Sequence, residues 1–199
     1  YPEYKAQRDA TPEDIKRSVP VIKEILQAYN IPILEVPGFE ADDVIGTLAK
    51  KAESIGLSVQ MVTPDKDYAQ LVSPNITMCR PGHGAKGMEL LGPAEVCEKY
   101  GVGAPENVID YLSLTGDAAD NIPGCPGVGE KTAKTLLADF GNVETLIENA
   151  GQLKGALKKK IEENVEKIRF SKFLVTIRTD VPIDFDAERF KVKEADKER

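Results

Sequence analysis

The sequence predicts an α/β protein in which a mainly parallel sheet flanked by helices gives way to a helical second half. Between Ile33 and Thr63 a short apolar run, an amphipathic stretch and a second apolar run follow one another, the strand, helix, strand order of a parallel sheet. Pro37-Gly38, Gly56 and Pro64 close those three segments in turn. From Pro93 onward the segments read as helices, and the division predicts an α/β unit over 1–115 and a helical unit over 116–199.

Element by element, Thr11-Pro12-Glu13-Asp14 supplies an N-cap, a first-turn proline and acids beside the positive helix end, predicting a helix from Pro12 to Tyr29. Its Ile15, Val19, Ile22, Ile25 and Leu26 recur at helical spacing, and Pro20 inside it is expected to kink it. Ile33 to Val36 reads as a strand, Ala41 to Ile55 as a helix, and Leu57 to Thr63 as the next strand. Lys66 to Leu71 reads as a short helix. Ile76 to Arg80 and Gly87 to Leu91 flank a turn containing His83, the only histidine, and suggest a β-hairpin. Helices are expected at Pro93–Tyr100, Pro105–Leu114, Glu130–Phe140, Val143–Asn149 and, as one long element, Gly155–Ile177. The charged tail after Asp180 is expected to have little order of its own.

At 199 residues, 41% of them hydrophobic and 30% charged, the chain can bury a substantial core, and it carries no apolar run of membrane-spanning length. Cys79, Cys97 and Cys125 are scattered and odd in number, which favours reduced, packed thiols and a cytoplasmic setting. A lone histidine in a turn argues against a histidine dyad or a zinc site. The net charge of −7 argues superficially against a nucleic-acid partner, yet basic residues outnumber acids between Gly151 and Asp180. The Lys158–Lys160 run within that stretch reads first as a solvated helix face.

The chemistry lies in seven carboxylates in three clusters: Glu40, Asp42 and Asp43; Asp65 and Asp67; Asp117 and Asp120. Each alone has a plain structural account, as an acidic helix start, an Asx turn and a polar loop. Two of them follow expected strands of one sheet, where working groups collect beyond the carboxyl ends. Converged acids need cations, and oxygen-only ligands select hard ions, Mg²⁺ or Mn²⁺. Many acids with no obvious nucleophile fit phosphodiester hydrolysis assisted by two divalent ions. Glu40 and Asp43 would share a helix face, leaving Asp42 to point elsewhere.

The second informative element is Gly124-Cys125-Pro126-Gly127-Val128-Gly129-Glu130-Lys131-Thr132. It misses the nucleotide-binding loop because Glu130 separates Lys131 from the last glycine and no strand precedes it. A Gly-rich turn entering a helix instead offers amides to a single nucleic-acid phosphate, with Lys131, Thr132 and Lys134 beside Gly127, Val128 and Gly129. Lys5 and Arg8 form a third, weaker basic element.

Taken together, Y-K-A-Q-R at 4–8, V-P-G-F-E-A-D-D at 36–43, T-P-D-K-D at 63–67, L-T-G-D-A-A-D-N-I-P-G at 114–124 and G-V-G-E-K-T-A at 127–133 resemble the 5′-nuclease domain of bacterial DNA polymerase I, in the flap endonuclease family. The resemblance implies a PIN/resolvase-like core with an arch segment over residues 1–30 and a helix-hairpin-helix-like subdomain. It implies a structure-specific 5′-3′ exonuclease and flap endonuclease that removes flaps and RNA primers, with branched or nicked duplex DNA as partner and a polymerase domain in the same parent chain. The seven acids would be metal ligands, Lys5 and Arg8 catalytic, and the hairpin the holder of downstream duplex, often through a monovalent cation such as K⁺. The resemblance also implies two earlier strands, each with a metal-ligating Asp, ahead of Tyr4-Lys5. This sequence starts after both, so an incomplete ligand shell and impaired activity are expected.

Two other readings compete. A DNA-binding module would hold branched duplex without cutting it, and a flap-cleavage assay with an EDTA control separates the two. A haloacid dehalogenase-type phosphatase also places D-x-D after a strand, but Tyr68-Ala69 and the rest of the chain do not fit it.

Overall fold

The computed structural model describes residues 1–82 and 87–196; the turn containing His83 lies outside the described residues. Among the described residues three strands form one sheet: β1 (Val59–Val62), β2 (Ile76–Pro81) and β3 (Met88–Leu91). β1 runs parallel to β2 with Met61 opposite Met78, and β2 pairs antiparallel with β3, Cys79 opposite Leu90. The described sheet is therefore mixed, with one parallel pair joined to the expected hairpin.

Among the described residues eight α-helices accompany it: α1 (Glu13–Ala28), α2 (Ala41–Ser54), α3 (Pro93–Tyr100), α4 (Val108–Thr115), α5 (Glu130–Phe140), α6 (Val143–Glu148), α7 (Gly155–Glu163) and α8 (Val165–Val175). Short 3₁₀ turns occur at Lys66–Leu71, Pro105–Asn107, Ala150–Gln152 and Ala187–Phe190. The core is one continuous body running from Met61 and Met78 in the sheet through Leu112 and Leu114 to Leu136, Leu146, Ile161 and Ile168. α4 lies at its centre, apolar on nearly every side, as a helix enclosed by protein must be. Its one buried acid, Asp110, is held by Lys172 Nζ at 3.0 Å and accepts from the Val143 amide, which ties α4 to α8 and α6.

Several sequence expectations need correction. Ile33–Val36 forms no strand, because a ladder needs a neighbour and no described strand lies beside it. The long helix expected from Gly155 to Ile177 is two helices: Asn164 leaves helical geometry (φ −119°, ψ 18°) and its Nδ2 donates to the Lys160 carbonyl. The helix expected from Pro105 opens with a 3₁₀ turn and becomes α-helical at Val108. Pro20 sits inside α1 without interrupting it, and the apolar stripe of α1 is not buried, with Ile15, Ile22 and Ile25 each about half exposed.

The tail is more ordered than its charge suggests. Val181 is buried, Phe185 stacks on Phe190, and the Asp196 amide donates to the Ala28 carbonyl at 2.7 Å. Among the described residues no helix is long and apolar enough to cross a membrane.

Candidate active site

The three acidic clusters come together. β1 delivers the second: the chain leaves the sheet at Val62, turns at Pro64, and Asp65 accepts from the Asp67 amide at 3.1 Å to start the 3₁₀ turn. The third sits on a tight turn after α4, closed by reciprocal backbone hydrogen bonds between Asp117 and Ile122, with Asp117 Oδ1 accepting from the Ala119 amide. Gly116 and Gly124 press against each other at the base of that turn. Both have positive φ, and a Cβ on Gly116 would lie 2.5 Å from the Ile122 carbonyl oxygen. The first cluster opens α2, where acids face the helix dipole.

Lysines connect the clusters. Lys66, between the two acids of the second, places Nζ 2.8 Å from Asp117 Oδ2 in the third. Lys5 Nζ lies 2.5 Å from Glu40 Oε2 and 3.6 Å from Asp120 Oδ2, which joins the first cluster to the third. Arg8 pairs with Asp120 as well. The segment around Lys5 is pinned to the third cluster along its length: the Lys5 amide donates to the Asp120 carbonyl, Gln7 Nε2 to the Ala118 carbonyl, and Asn121 Nδ2 to the Glu3 carbonyl. Lys5 adopts φ 57°, a left-handed conformation that a lysine holds only when its surroundings fix it.

The electrostatics reflect this crowding. Burial, then the Asp65 and Asp117 charges, push the Asp67 carboxyl from the ordinary carboxylate range up to about 7. Its Oδ1 is buried with no hydrogen-bond partner. Burial and the neighbouring Glu40 also raise Asp42. Burial pushes the Tyr68 phenol up to about 12, with charges of the first and second clusters adding to it. Burial opposes the charge of Lys5, but hydrogen bonds to Glu40 and Tyr4 outweigh it and the ammonium is held above its usual value.

The acids are not equivalent. Asp43 is engaged on both oxygens, Oδ1 by the Arg178 amide at 2.9 Å and Oδ2 by the Glu40 amide at 3.3 Å, while Asp42 Oδ1 accepts from the Asp43 amide. Asp65 caps the 3₁₀ turn and Asp67 lies within it, near enough to Asp117 and Asp120 for their charges to bear on Asp67, with Lys66 between the first two. With lysine side chains standing among the acids, no three His, Cys, Asp or Glu among the described residues are close enough to hold a metal ion as the side chains lie. A cleft of about 420 Å³ opens beside Glu40, Asp42, Asp43 and Asp67, walled on its far side by residues 172–178.

The Gly-rich turn lies beyond the third cluster. Val128 is buried and anchors it, and Gly127, with φ 77°, makes the bend. Gly129 is the N-cap of α5 and brings no side chain to it, so the first amides of the helix are left open. Lys131 is exposed and Thr132 half-buried, while Lys134 Nζ turns inward to the Lys99 carbonyl at 2.6 Å.

Three residues that sequence reasoning passed over support these parts. Gln70 is buried and fully used: Nε2 donates to the Asp67 and Val175 carbonyls and Oε1 accepts from the Ile177 amide, which fixes the wall of the cleft beneath Asp67. Ser171, fully buried, accepts from the Gly124 amide. Lys160, read as solvated, donates to the Gly127 carbonyl at 3.0 Å. A glutamine one turn past an Asp-x-Asp was the available signal for the first; nothing local marks the other two.

Comparison with known proteins agrees with this architecture. Residues 1–101 match the family described as 5′-3′ exonuclease, N-terminal resolvase-like domain, and residues 103–198 its C-terminal SAM fold. The thermostable DNA polymerase I of Thermus filiformis is 44% identical over 199 residues, all of this chain and 23% of that protein. DNA polymerase I of Bacillus subtilis is 45% identical over 185 residues, 92% of this chain and 21% of that protein. The chain thus spans about a quarter of the length of the curated relatives it matches. Among solved structures, the bacteriophage T5 D15 flap endonuclease in a complex with DNA and metal ions superposes with TM-score 0.73 at 23% identity, over 89% of this chain and 68% of that one. The catalytic core of Rad2 with DNA substrate gives 0.59 at 16% identity, over 96% and 62%. These two similarities establish the shared fold.

Proposed function

The chain belongs to the 5′-3′ exonuclease family, and we propose that it is the 5′-nuclease part of a DNA polymerase I-like protein, hydrolysing phosphodiesters of branched or nicked duplex DNA with the help of divalent cations. The substrates would be 5′ flaps and RNA primers at RNA–DNA junctions, in the cytoplasm of a bacterial cell. The polymerase partner would lie elsewhere in the parent chain, since relatives of this kind are about four times as long. Linkage of the three acidic clusters through Lys5 and Lys66, beside a buried carboxylate oxygen lacking any partner, is the single observation that carries this reading.

The donor set fits a hard cation: it is all oxygen, strongly negative, and holds the orphaned Oδ1 of Asp67. Asp65, Asp67, Asp117 and Asp120, with Glu40 and Asp42 at the cleft side, would hold Mg²⁺ or Mn²⁺, with Asp43 serving mainly to fix α2 against Arg178. Bound there, two such ions would supply an activated water and charge neutralisation at the scissile phosphate. Lys5 and Arg8, already against Glu40 and Asp120, would exchange those carboxylates for phosphate oxygens and draw the strand in over the acids. The amides at Gly127, Val128 and Gly129, with Lys131, Thr132 and Lys134, would grip a phosphate of the duplex. Lys160, donating to the Gly127 carbonyl, would supply there the positive charge that the resemblance assigns to a K⁺ ion.

Incubating the chain with a 5′-labelled flap oligonucleotide in Mg²⁺ or Mn²⁺, with EDTA as control, tests this. Metal-dependent product lost in Asp67→Asn is the expected result. Tight binding of the flap duplex with no metal-dependent product would identify a non-catalytic DNA-binding module instead.

A further inference from the structure

A second cleft, of about 550 Å³, lies between the acidic site and the Gly-rich turn; Gly129 and Lys134 in its lining belong to the turn assigned above, whereas Arg80 and Lys99 have no role so far. One wall is made by residues next to the acids, Lys66 and Gly116, and the other by Gly129 and the first turns of α5. Four cations line it, Lys66, Arg80, Lys99 and Lys134, against one carboxylate, Glu130.

Two of these charges are committed elsewhere: Lys66 to Asp117 at 2.8 Å and Arg80 to Glu89 at 2.6 Å. The other two are held together by the fold. Lys134 Nζ donates to the carbonyl of Lys99, and the Lys99 ammonium lies 5.5 Å from the centre of the Tyr100 ring. Burial, then the charge of Arg80, holds Lys99 below its ordinary value, and Lys134 adds to the effect. Like charges gathered in a concave site repel one another and are stabilised when an anion enters between them. The uncapped amides at the start of α5 face the same anion-binding need.

We propose that this cleft is a phosphate subsite, gripping a phosphate of the bound DNA strand between the acids and the Gly-rich turn, with Lys99 as its central contact. The assignment rests on the nuclease reading above and names a binding residue outside the sites already described. The cleft runs from Lys66 beside the acids to Gly129 at the N-terminus of α5.

Fluorescence anisotropy of a labelled flap duplex, in EDTA and across a series of salt concentrations, tests it with the chain itself, Lys99→Ala, Lys99→Arg and, as control, Lys159→Ala on the exposed side of α7. Loss of one charged phosphate contact should weaken Lys99→Ala by about tenfold and lower the slope of log affinity against log salt by about 1. Lys99→Arg should restore both, and Lys159→Ala should match the unaltered chain. Duplexes ending in 5′-phosphate and in 5′-hydroxyl separate two sources of the anion: equal losses identify an internal phosphodiester, and a loss confined to the phosphorylated duplex identifies the terminal phosphate. Either supports the subsite. Unaltered affinity and slope in Lys99→Ala overturn it while leaving the nuclease reading intact; absence of duplex binding by the unaltered chain overturns both.

Discussion

Lys66 Nζ stands 2.8 Å from Asp117 Oδ2, so the residue between the acids of one cluster neutralises the first acid of another, 51 positions away in the chain. Asp117 is nearly buried on its side chain at 10% exposure, whereas Lys66 is 41% exposed, and the pair is a partly screened one. Without a metal, Lys66→Met should therefore cost about 1 kcal/mol by leaving the acids less compensated. Adding Mn²⁺ should recover that loss, because a bound cation takes over the neutralisation. Thermal unfolding of both proteins in EDTA and in Mn²⁺ checks this; equal Mn²⁺ stabilisation of the two would contradict it.

Asp67 makes the stability of the metal-free chain depend on pH with a definite sign. Its folded-state value, about 7, lies above the ordinary carboxylate value of about 3.9, so the native state binds more protons than the unfolded state between the two. Stability should fall as pH rises from about 4 to about 7 and level off above, by at most about 4 kcal/mol. Asp67→Asn should flatten this part of the profile and, in EDTA, stabilise the chain at pH 8 relative to the unaltered protein. Urea unfolding in EDTA at pH 4, 6 and 8 measures it, and a profile unchanged by the substitution would remove Asp67 as its source.

The turn that carries Asp117 and Asp120 depends on two glycines in contact. Gly116 has φ 70° and no space for a Cβ against the Ile122 carbonyl, so Gly116→Ala combines backbone strain with a steric clash. A loss of about 2 kcal/mol or more is expected, with the acids of the turn displaced from Lys5 and Arg8. Denaturant unfolding gives the stability, and weaker Mn²⁺ stabilisation of the variant would report the displaced acids.

What the sequence made legible follows from the range of the forces involved. The hairpin, α2, α3 and α5 are set by local periodicity and by Gly and Pro at their ends, and their positions agree with those signals to within a few residues. Ile33–Val36 has strand composition but depends on a neighbouring strand for its hydrogen bonds, which composition cannot supply. The break at Asn164 turns on one side-chain hydrogen bond to Lys160 inside an otherwise helical pattern. At the site, Asp-x-Asp spacing after β1 was readable, whereas the contacts of Lys66, Gln70 and Lys160 join residues 33 to 107 positions apart. Such contacts exist only once the chain has closed.

The Lys160 ammonium, fixed at the Gly127 carbonyl 3.0 Å away, places a covalently attached cation at the bend of the Gly-rich turn. It draws electron density from a carbonyl whose orientation sets the amides of Val128 and Gly129, and α7 packs the Cys125 side of the same turn. Lys160→Met keeps the aliphatic stem and removes the charge. The turn should then loosen and flap-duplex affinity fall by about threefold to tenfold, corresponding to roughly 0.7–1.4 kcal/mol, while the unfolding midpoint changes little. A free cation can replace the lost charge in the variant alone, so its affinity should be higher in K⁺ than in tetramethylammonium at equal ionic strength, whereas the unaltered chain should show no such preference. Anisotropy titrations in the two salts decide the matter, and a K⁺ preference in the unaltered chain would show that Lys160 does not fill that role.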